Sequence, residues 1–109
     1  MRKPDWNYEI GWHPVERICG YRGFWVEVGY NENESCGYVW CVQCCGSGYY
    51  FKTKGECYAY CMGRRFLRRG RRHVIYNRAE AEAYCKGRGL HRVLNENRAW
   101  EHCVKYGLT

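Results

Sequence analysis

The spacing of four cysteines constrains this chain more than any other feature of its sequence. The spacing is C-x2-C-x12-C-x3-C, and its members are Cys41, Cys44, Cys57 and Cys61. A tetrahedral zinc ion is commonly held by one cysteine pair in a tight turn and a second pair on one face of a helix. The spacing therefore predicts a structural zinc site with these four cysteines as ligands.

The other cysteines leave a second chemistry open. Nine cysteines in 109 residues indicate metal ligation, disulfides or both. Because nine is odd, at least one thiol lies outside any set of internal disulfides, which favours a reducing compartment. For Cys61, Cys85 and Cys103, which fall on predicted helices, core packing as small apolar side chains is the alternative to ligation.

Alternation of apolar and polar side chains predicts a small antiparallel hairpin in the N-terminal half. Residues 23–30 and 38–44 are its predicted strands, joined by the turn sequence NENES, and residues 49–52 form a third short strand. Thr53 and Glu56 form the T-x-x-E pattern of a capping box, which predicts a helix over residues 54–65. Residues 1–18, which contain Pro4 and Pro14, are expected to be irregular.

A repeat extends from the first helix into the C-terminal half. YFKTKGECYAYCMGR, from Tyr50, aligns without gaps on VIYNRAEAEAYCKGR, from Val74, and VLNENRAWEHCVKYG, from Val93, is a weaker third copy. Asn77 and Glu80 repeat the capping box. Each copy predicts a strand and then a helix, so the chain is predicted to be α+β, with a zinc-ribbon-like hairpin half followed by strand–helix units.

The predicted organisation has three parts: a cysteine-rich module over residues 1–65, a basic linker over residues 66–72, and a repeat region over residues 73–109. The repeat region is expected to pack with the first module as one domain.

The charge of the chain points to an acidic partner. Its formal charge is +7, which favours nucleic acid, an anionic membrane or an acidic protein surface. The run GRRFLRRGRR is the best candidate for a phosphate contact, because arginine forks bind phosphate and an aromatic ring stacks on an unpaired base. The candidate nucleic-acid-binding residues are Arg64, Arg65, Phe66, Arg68, Arg69, Arg71 and Arg72. A solvated linker is the alternative interpretation.

The sequence carries no catalytic signature. Its four histidines show neither H-x-x-H nor H-E-x-x-H spacing, and it has no phosphate loop or dinucleotide-binding glycine motif. Its first residues lack the apolar segment of an export signal, and no stretch has the apolar length of a membrane span. These features predict an intracellular protein that is not an enzyme.

Residues 19–65 resemble the short zinc ribbons of the restriction-alleviation family of bacteria and their phages. The resemblance rests on Cys19 before the strand WVEV, on Cys41 with Cys44 before a glycine, and on a T-x-x-E helix that ends near Arg64. The first knuckle lacks one cysteine, so a residue such as His13 or Glu16 would complete a ligand set with Cys19. The resemblance implies a phage or viral accessory protein with structural zinc that binds nucleic acid or a nucleic-acid enzyme.

Residues 3–61 also resemble a Kunitz domain, through KPDW and the order of Cys19, Cys36, Cys44, Cys57 and Cys61. By this resemblance Cys19 would bridge Cys44, and Cys36 would bridge Cys57, whereas one cysteine of the family has no counterpart. Gly20 occupies the primary specificity position. The resemblance implies a secreted, disulfide-rich binding protein or toxin without protease inhibition. A structural or virion protein with core cysteines is the third alternative.

Overall fold

The computed structural model describes residues 11–21, 24–33, 37–44, 47–90 and 95–109. Within them a sheet precedes three helices, which confirms the predicted α+β class. The elements are β1 (Trp12–Tyr21), β2 (Phe24–Asn31), β3 (Trp40–Cys44), β4 (Ser47–Phe51), α1 (Lys54–Gly63), α2 (Arg78–Arg88) and α3 (Glu96–Lys105). Contacts divide the chain into two compact units, Met1–Lys54 and Gly55–Thr109. The KPDW sequence, Cys36 and Val93 lie outside the described residues.

The first unit is an antiparallel meander with the strand order β1-β2-β3-β4. β2 and β3 form the predicted hairpin, in which Val28 lies opposite Val42 and both side chains are fully buried. β4 continues the sheet, with Phe51 opposite Trp40. Burial does not alternate along β2, because Trp25, Val26, Glu27 and Val28 are all at most 7% exposed, so both faces of this strand are covered.

The prediction that residues 12–18 are irregular is wrong, because these residues belong to β1. Pro14 lacks an N–H group, but β1 lies at one edge of the described sheet and its register shifts between Pro14 and Glu16. Opposite Pro14, a Cβ on Gly29 would lie 2.5 Å from the His13 carbonyl oxygen and 2.7 Å from the Trp12 indole. Glycine at this position lets β1 approach β2 closely.

The first two helices begin where the predicted capping residues place them. α1 begins directly after Thr53. Asn77 Oδ1 accepts a hydrogen bond from Glu80 N at 2.9 Å, and Asn95 Oδ1 accepts one from Arg98 N at the same distance. The strand predicted before α2 does not form, because residues 71–76 have no regular secondary structure.

The repeat corresponds to a helix end that recurs three times in the second unit. The three helices end in a Schellman motif, in which the residue after the left-handed position donates its N–H to the carbonyl oxygen of the cysteine five residues earlier. The pairs are Phe66 with Cys61, Leu90 with Cys85 and Leu108 with Cys103. All three cysteines are at most 1% exposed. The recurring cysteine thus occupies a fixed core position beside each cap.

The first two copies of the repeat also contact one another reciprocally, through α1 and α2. A Cβ on Gly87 would lie 2.5 Å from the Tyr60 carbonyl oxygen, and a Cβ on Gly63 would overlap the Tyr84 carbonyl oxygen. Gly63 and Gly87 are equivalent repeat positions, as are Tyr60 and Tyr84. The shared sequence AYCxGR therefore forms a pseudo-two-fold helix crossing in which both glycines meet backbone.

Candidate functional site

The net charge of the protein is confined to its second unit. Gly55–Thr109 contains 12 of the 18 Lys and Arg residues but only five of the 11 Asp and Glu residues, which gives it a formal charge of +7. The first unit has a formal charge of zero. Between Glu56 and Glu80 the sequence holds seven arginines and no acidic residue. Any role that depends on positive charge is thus expected in the second unit.

The predicted cysteine knuckle is a strand. Cys41 and Cys44 both lie in β3, which pairs in regular register with β2 and β4. Side chains three positions apart on a strand point to opposite faces, with about 10 Å of backbone between them. Gln43, on the same face as Cys41, donates a hydrogen bond to its Sγ at 3.2 Å. The tight turn that a zinc knuckle needs is absent from this described segment.

The zinc prediction is therefore wrong for the part of the chain that the structure describes. No group of three or more His, Cys, Asp and Glu side chains in that part is placed to hold a metal ion. Of the proposed extra ligands, His13 is 3.0 Å from Glu32 Oε2 and its ring stacks on Tyr30, and Cys19 lies in β1 opposite Val26.

Cys85 and Cys103 are free thiols in the core, which agrees with the packing alternative. Burial raises the pKa of Cys85, and it raises the pKa of Cys103 to about 12. Both sulfurs therefore stay protonated at neutral pH, whereas metal ligation and nucleophilic attack require the thiolate. His102, next to Cys103, packs against Tyr106 with ring centroids 4.6 Å apart.

Three arginines of residues 64–72, here called the basic segment, are tethered to the second unit. Arg64 donates to the Tyr60 hydroxyl at 2.8 Å and lies 4.9 Å from the Phe66 ring centroid. Arg71 lies over Tyr58 at 5.5 Å, and Arg72 donates to the Gly107 carbonyl oxygen. These side chains fix the path of the segment, and the guanidinium of Arg64 lies over Phe66, the predicted base-stacking ring.

The other three arginines of the basic segment are exposed and have no side-chain partner among the described residues. They are Arg65, Arg68 and Arg69. Arg68 and Arg69 open a four-residue turn that is closed by a 2.9 Å hydrogen bond from Arg71 N to the Arg68 carbonyl oxygen. Gly70, at the third position, has the positive φ of 88° that a type II turn requires. The turn presents two unpaired guanidinium groups at fixed backbone positions.

Arg65 is strained in a way that its counterparts in the repeat are not. It is the one non-glycine residue in the described part of the chain with positive φ, at 62°, and it occupies the left-handed position of the Schellman motif that Gly89 and Gly107 hold after α2 and α3. A left-handed conformation costs an L-residue with a Cβ about 1–2 kcal/mol relative to glycine. Backbone strain that persists in a folded protein is often associated with functional positions.

We expect Arg65→Gly to raise the free energy of unfolding by about 1 kcal/mol, because glycine adopts the left-handed conformation without strain. The greater conformational entropy of glycine in the unfolded chain offsets only part of this gain. Arg65→Ala, which removes the guanidinium but keeps the Cβ, should show no such gain. Urea denaturation of both variants measures the difference. Equal stabilities would contradict the assigned left-handed cap.

The chain that follows the basic segment is held against α2 and α3. Ile75, which is 1% exposed, donates its N–H to the Leu108 carbonyl oxygen at 2.9 Å. Glu80 Oε1 lies 2.8 Å from His73 Nε2 and accepts from Tyr76 N at 3.2 Å, with side-chain exposures of 18% for His73 and 8% for Glu80. Instead of reaching the Asn77 N–H, as in a regular capping box, Glu80 holds the preceding loop.

An open pocket of about 400 Å³ lies beside this loop. Its lining consists of Tyr76, Asn77, Arg78, Ala79 and Trp100. Tyr76 is 70% exposed, and the guanidinium of Arg78 lies 5.9 Å from the Trp100 ring centroid. The pocket thus combines two aromatic rings with one cation.

Two features of this region were not predicted from the sequence. The capping-box pattern accounts for Glu80 as a helix-start residue and contains no sign of its contact with His73. The pocket has no local sequence pattern, because its aromatic residues belong to different copies of the repeat. A usable signal existed for Arg65, because extending the repeat alignment by one position places it opposite Gly89.

No protein-family model, curated protein or solved structure matches this chain. None of the helices in the described residues has the length and apolar character needed to cross a bilayer.

Proposed function

We propose that this protein binds nucleic acid through the basic segment of its second unit, without a metal ion and as a binding protein rather than a catalyst. The observation that carries the proposal is the presentation of Arg65, Arg68 and Arg69, which are exposed and unpaired among the described residues, on a backbone fixed by their tethered neighbours. Guanidinium groups suit phosphate because they donate two parallel hydrogen bonds.

The distribution of charge supports the same proposal. The charge of +7 lies in one unit, and the stretch from residue 57 to residue 79 has no carboxylate to compete for its arginines. Clustered arginines of one sign attract a polyanion, and counterion release drives the association. The strain at Arg65 is consistent with this role, because a glycine there would relieve it but remove one of the three free cations.

The test is fluorescence anisotropy with a labelled single-stranded oligonucleotide at low salt, comparing the wild type with Arg68→Glu/Arg69→Glu. We expect affinity to fall by at least about tenfold, since the variant replaces two attractions to phosphate by repulsions. Arg88→Glu/Arg98→Glu makes the same charge change on exposed helical positions and is the matched control. Equal losses in the two variants would contradict a localised site.

An acidic protein surface is the competing partner, and a competition experiment separates the two. Polyglutamate carries carboxylates without phosphates. If phosphate is the recognised group, polyglutamate should displace the oligonucleotide much less effectively than unlabelled oligonucleotide at equal charge concentration. Equal displacement would favour the acidic protein surface.

A further inference from the structure

We propose that the pocket lined by Tyr76, Arg78 and Trp100 takes an unpaired nucleobase, so that the protein prefers single-stranded to duplex nucleic acid. This inference rests on the proposed function and deepens it, because it assigns the base contact that the basic segment lacks. Phe66, the ring within that segment, is covered by the Arg64 guanidinium at 4.9 Å.

The chemistry of the pocket suits a base. A nucleobase offers two flat faces that stack on aromatic rings, and its polar edge accepts hydrogen bonds from arginine. Tyr76 provides an aromatic ring that is 70% exposed, and Trp100 provides a second, half-buried one. Arg78, 5.9 Å from the Trp100 centroid, places a cation in the same lining. The volume of about 400 Å³ is sufficient for one base.

The exposed ring is held in place before any ligand arrives. Tyr76 N donates to Glu80 Oε1 at 3.2 Å, and the rings of Tyr76 and His73 pack edge to face at a centroid distance of 5.9 Å. His73 is itself 2.8 Å from Glu80 Oε1. A ring ordered in this way loses little conformational entropy on binding, which favours a specific stacking role over accidental exposure.

The pocket also lies within reach of the basic segment. Tyr76 follows Arg72 by four residues, a separation of at most about 14 Å along extended backbone. One strand whose phosphates contact the basic segment can therefore place a base at Tyr76. In a duplex both faces of each base are stacked on neighbours, so only an unpaired base can bind in the pocket.

The experiment compares two single strands of equal length and charge, one of them with its central bases replaced by abasic sites. We expect the wild type to bind the normal strand roughly tenfold more tightly than the abasic strand, the size of one base–aromatic stack. Tyr76→Ala should bind both strands with the affinity that the wild type shows for the abasic strand. Tyr106→Ala, at a ring that is 61% exposed and outside the pocket lining, should behave like the wild type.

The outcomes separate this inference from the proposed function. If the wild type binds the normal and the abasic strand equally well, the pocket does not bind a nucleobase, and this inference alone is overturned. If the wild type binds neither strand at low salt, the proposed function is overturned together with it. If Tyr76→Ala loses as much affinity for a duplex as for a single strand, the preference for unpaired bases is also overturned.

Discussion

Gly87→Ala should destabilise the second unit by about 2–3 kcal/mol, the upper part of the range for overpacked cores. The added Cβ would lie 2.5 Å from the Tyr60 carbonyl oxygen and 3.2 Å from Arg64 N, and both of these neighbours are backbone atoms. Backbone cannot rotate away as a flexible side chain does, so α1 and α2 must separate. Helix propensity predicts the opposite sign, because alanine is favoured over glycine by about 1 kcal/mol within a helix.

Glu101, on the exposed face of α3, provides the control for this prediction. Glu101→Ala should be more stable than Glu101→Gly by the ordinary difference in helix propensity. At residue 87 the order should be reversed, with the wild type more stable than Gly87→Ala. Urea denaturation followed by helical circular dichroism measures all four proteins. If Gly87→Ala is more stable than the wild type, as alanine is more stable than glycine at residue 101, α1 and α2 do not cross at these glycines.

The reciprocity of the crossing adds a second requirement. Gly63→Ala should cost about as much as Gly87→Ala, because the two glycines are equivalent in the repeat and each faces the backbone of the other helix. Once the helices have separated for one Cβ, the second adds little. The double variant is therefore expected to be less destabilised than the sum of the single variants.

Removing the three unpaired guanidinium groups should nearly abolish nucleic-acid binding. In Arg65→Gln/Arg68→Gln/Arg69→Gln, a loss of about 1 kcal/mol for each arginine–phosphate contact corresponds to roughly a 100-fold weaker affinity. These side chains are exposed and make no hydrogen bond, ion pair or ring contact with another described residue, so the fold should be kept. Anisotropy at low salt measures the affinity, and circular dichroism verifies the fold.

The matched control for the triple variant is Arg88→Gln/Arg98→Gln/Lys105→Gln, which removes the same three charges from exposed positions of α2 and α3. If binding depends only on net charge, both variants should lose affinity equally. If binding depends on the basic segment, the control variant should keep most of its affinity. Equal losses would reduce the proposal to nonspecific attraction by the whole unit.

The elements that were predicted correctly are those that depend on local sequence. Alternation located β2 and β3, and Thr53 and Asn77 located the starts of α1 and α2, because strand faces and helix caps are set by a few neighbouring residues. Pro14 was misleading, since a proline is incompatible with a central strand but not with an edge strand next to Gly29.

The candidate site was less predictable, because its features depend on backbone geometry and on contacts between distant residues. The C-x2-C spacing suggested a knuckle, but β3 extends through Cys44 and sends its two cysteines to opposite faces. The basic segment was visible as a run of arginines. Which of them are tethered depends on Tyr60, Tyr58 and Gly107, and no local pattern encodes those partners.

The dependence of oligonucleotide affinity on salt concentration tests binding through the basic segment most directly. For single strands, the logarithm of the binding constant should fall with the logarithm of salt concentration with a slope of about −0.7 for each phosphate contact, hence about −2 or steeper for three arginines. The wild type should show this slope, and Arg65→Gln/Arg68→Gln/Arg69→Gln should lose about two units of it. A wild-type slope near zero, or the same slope in both proteins, would contradict binding through these arginines.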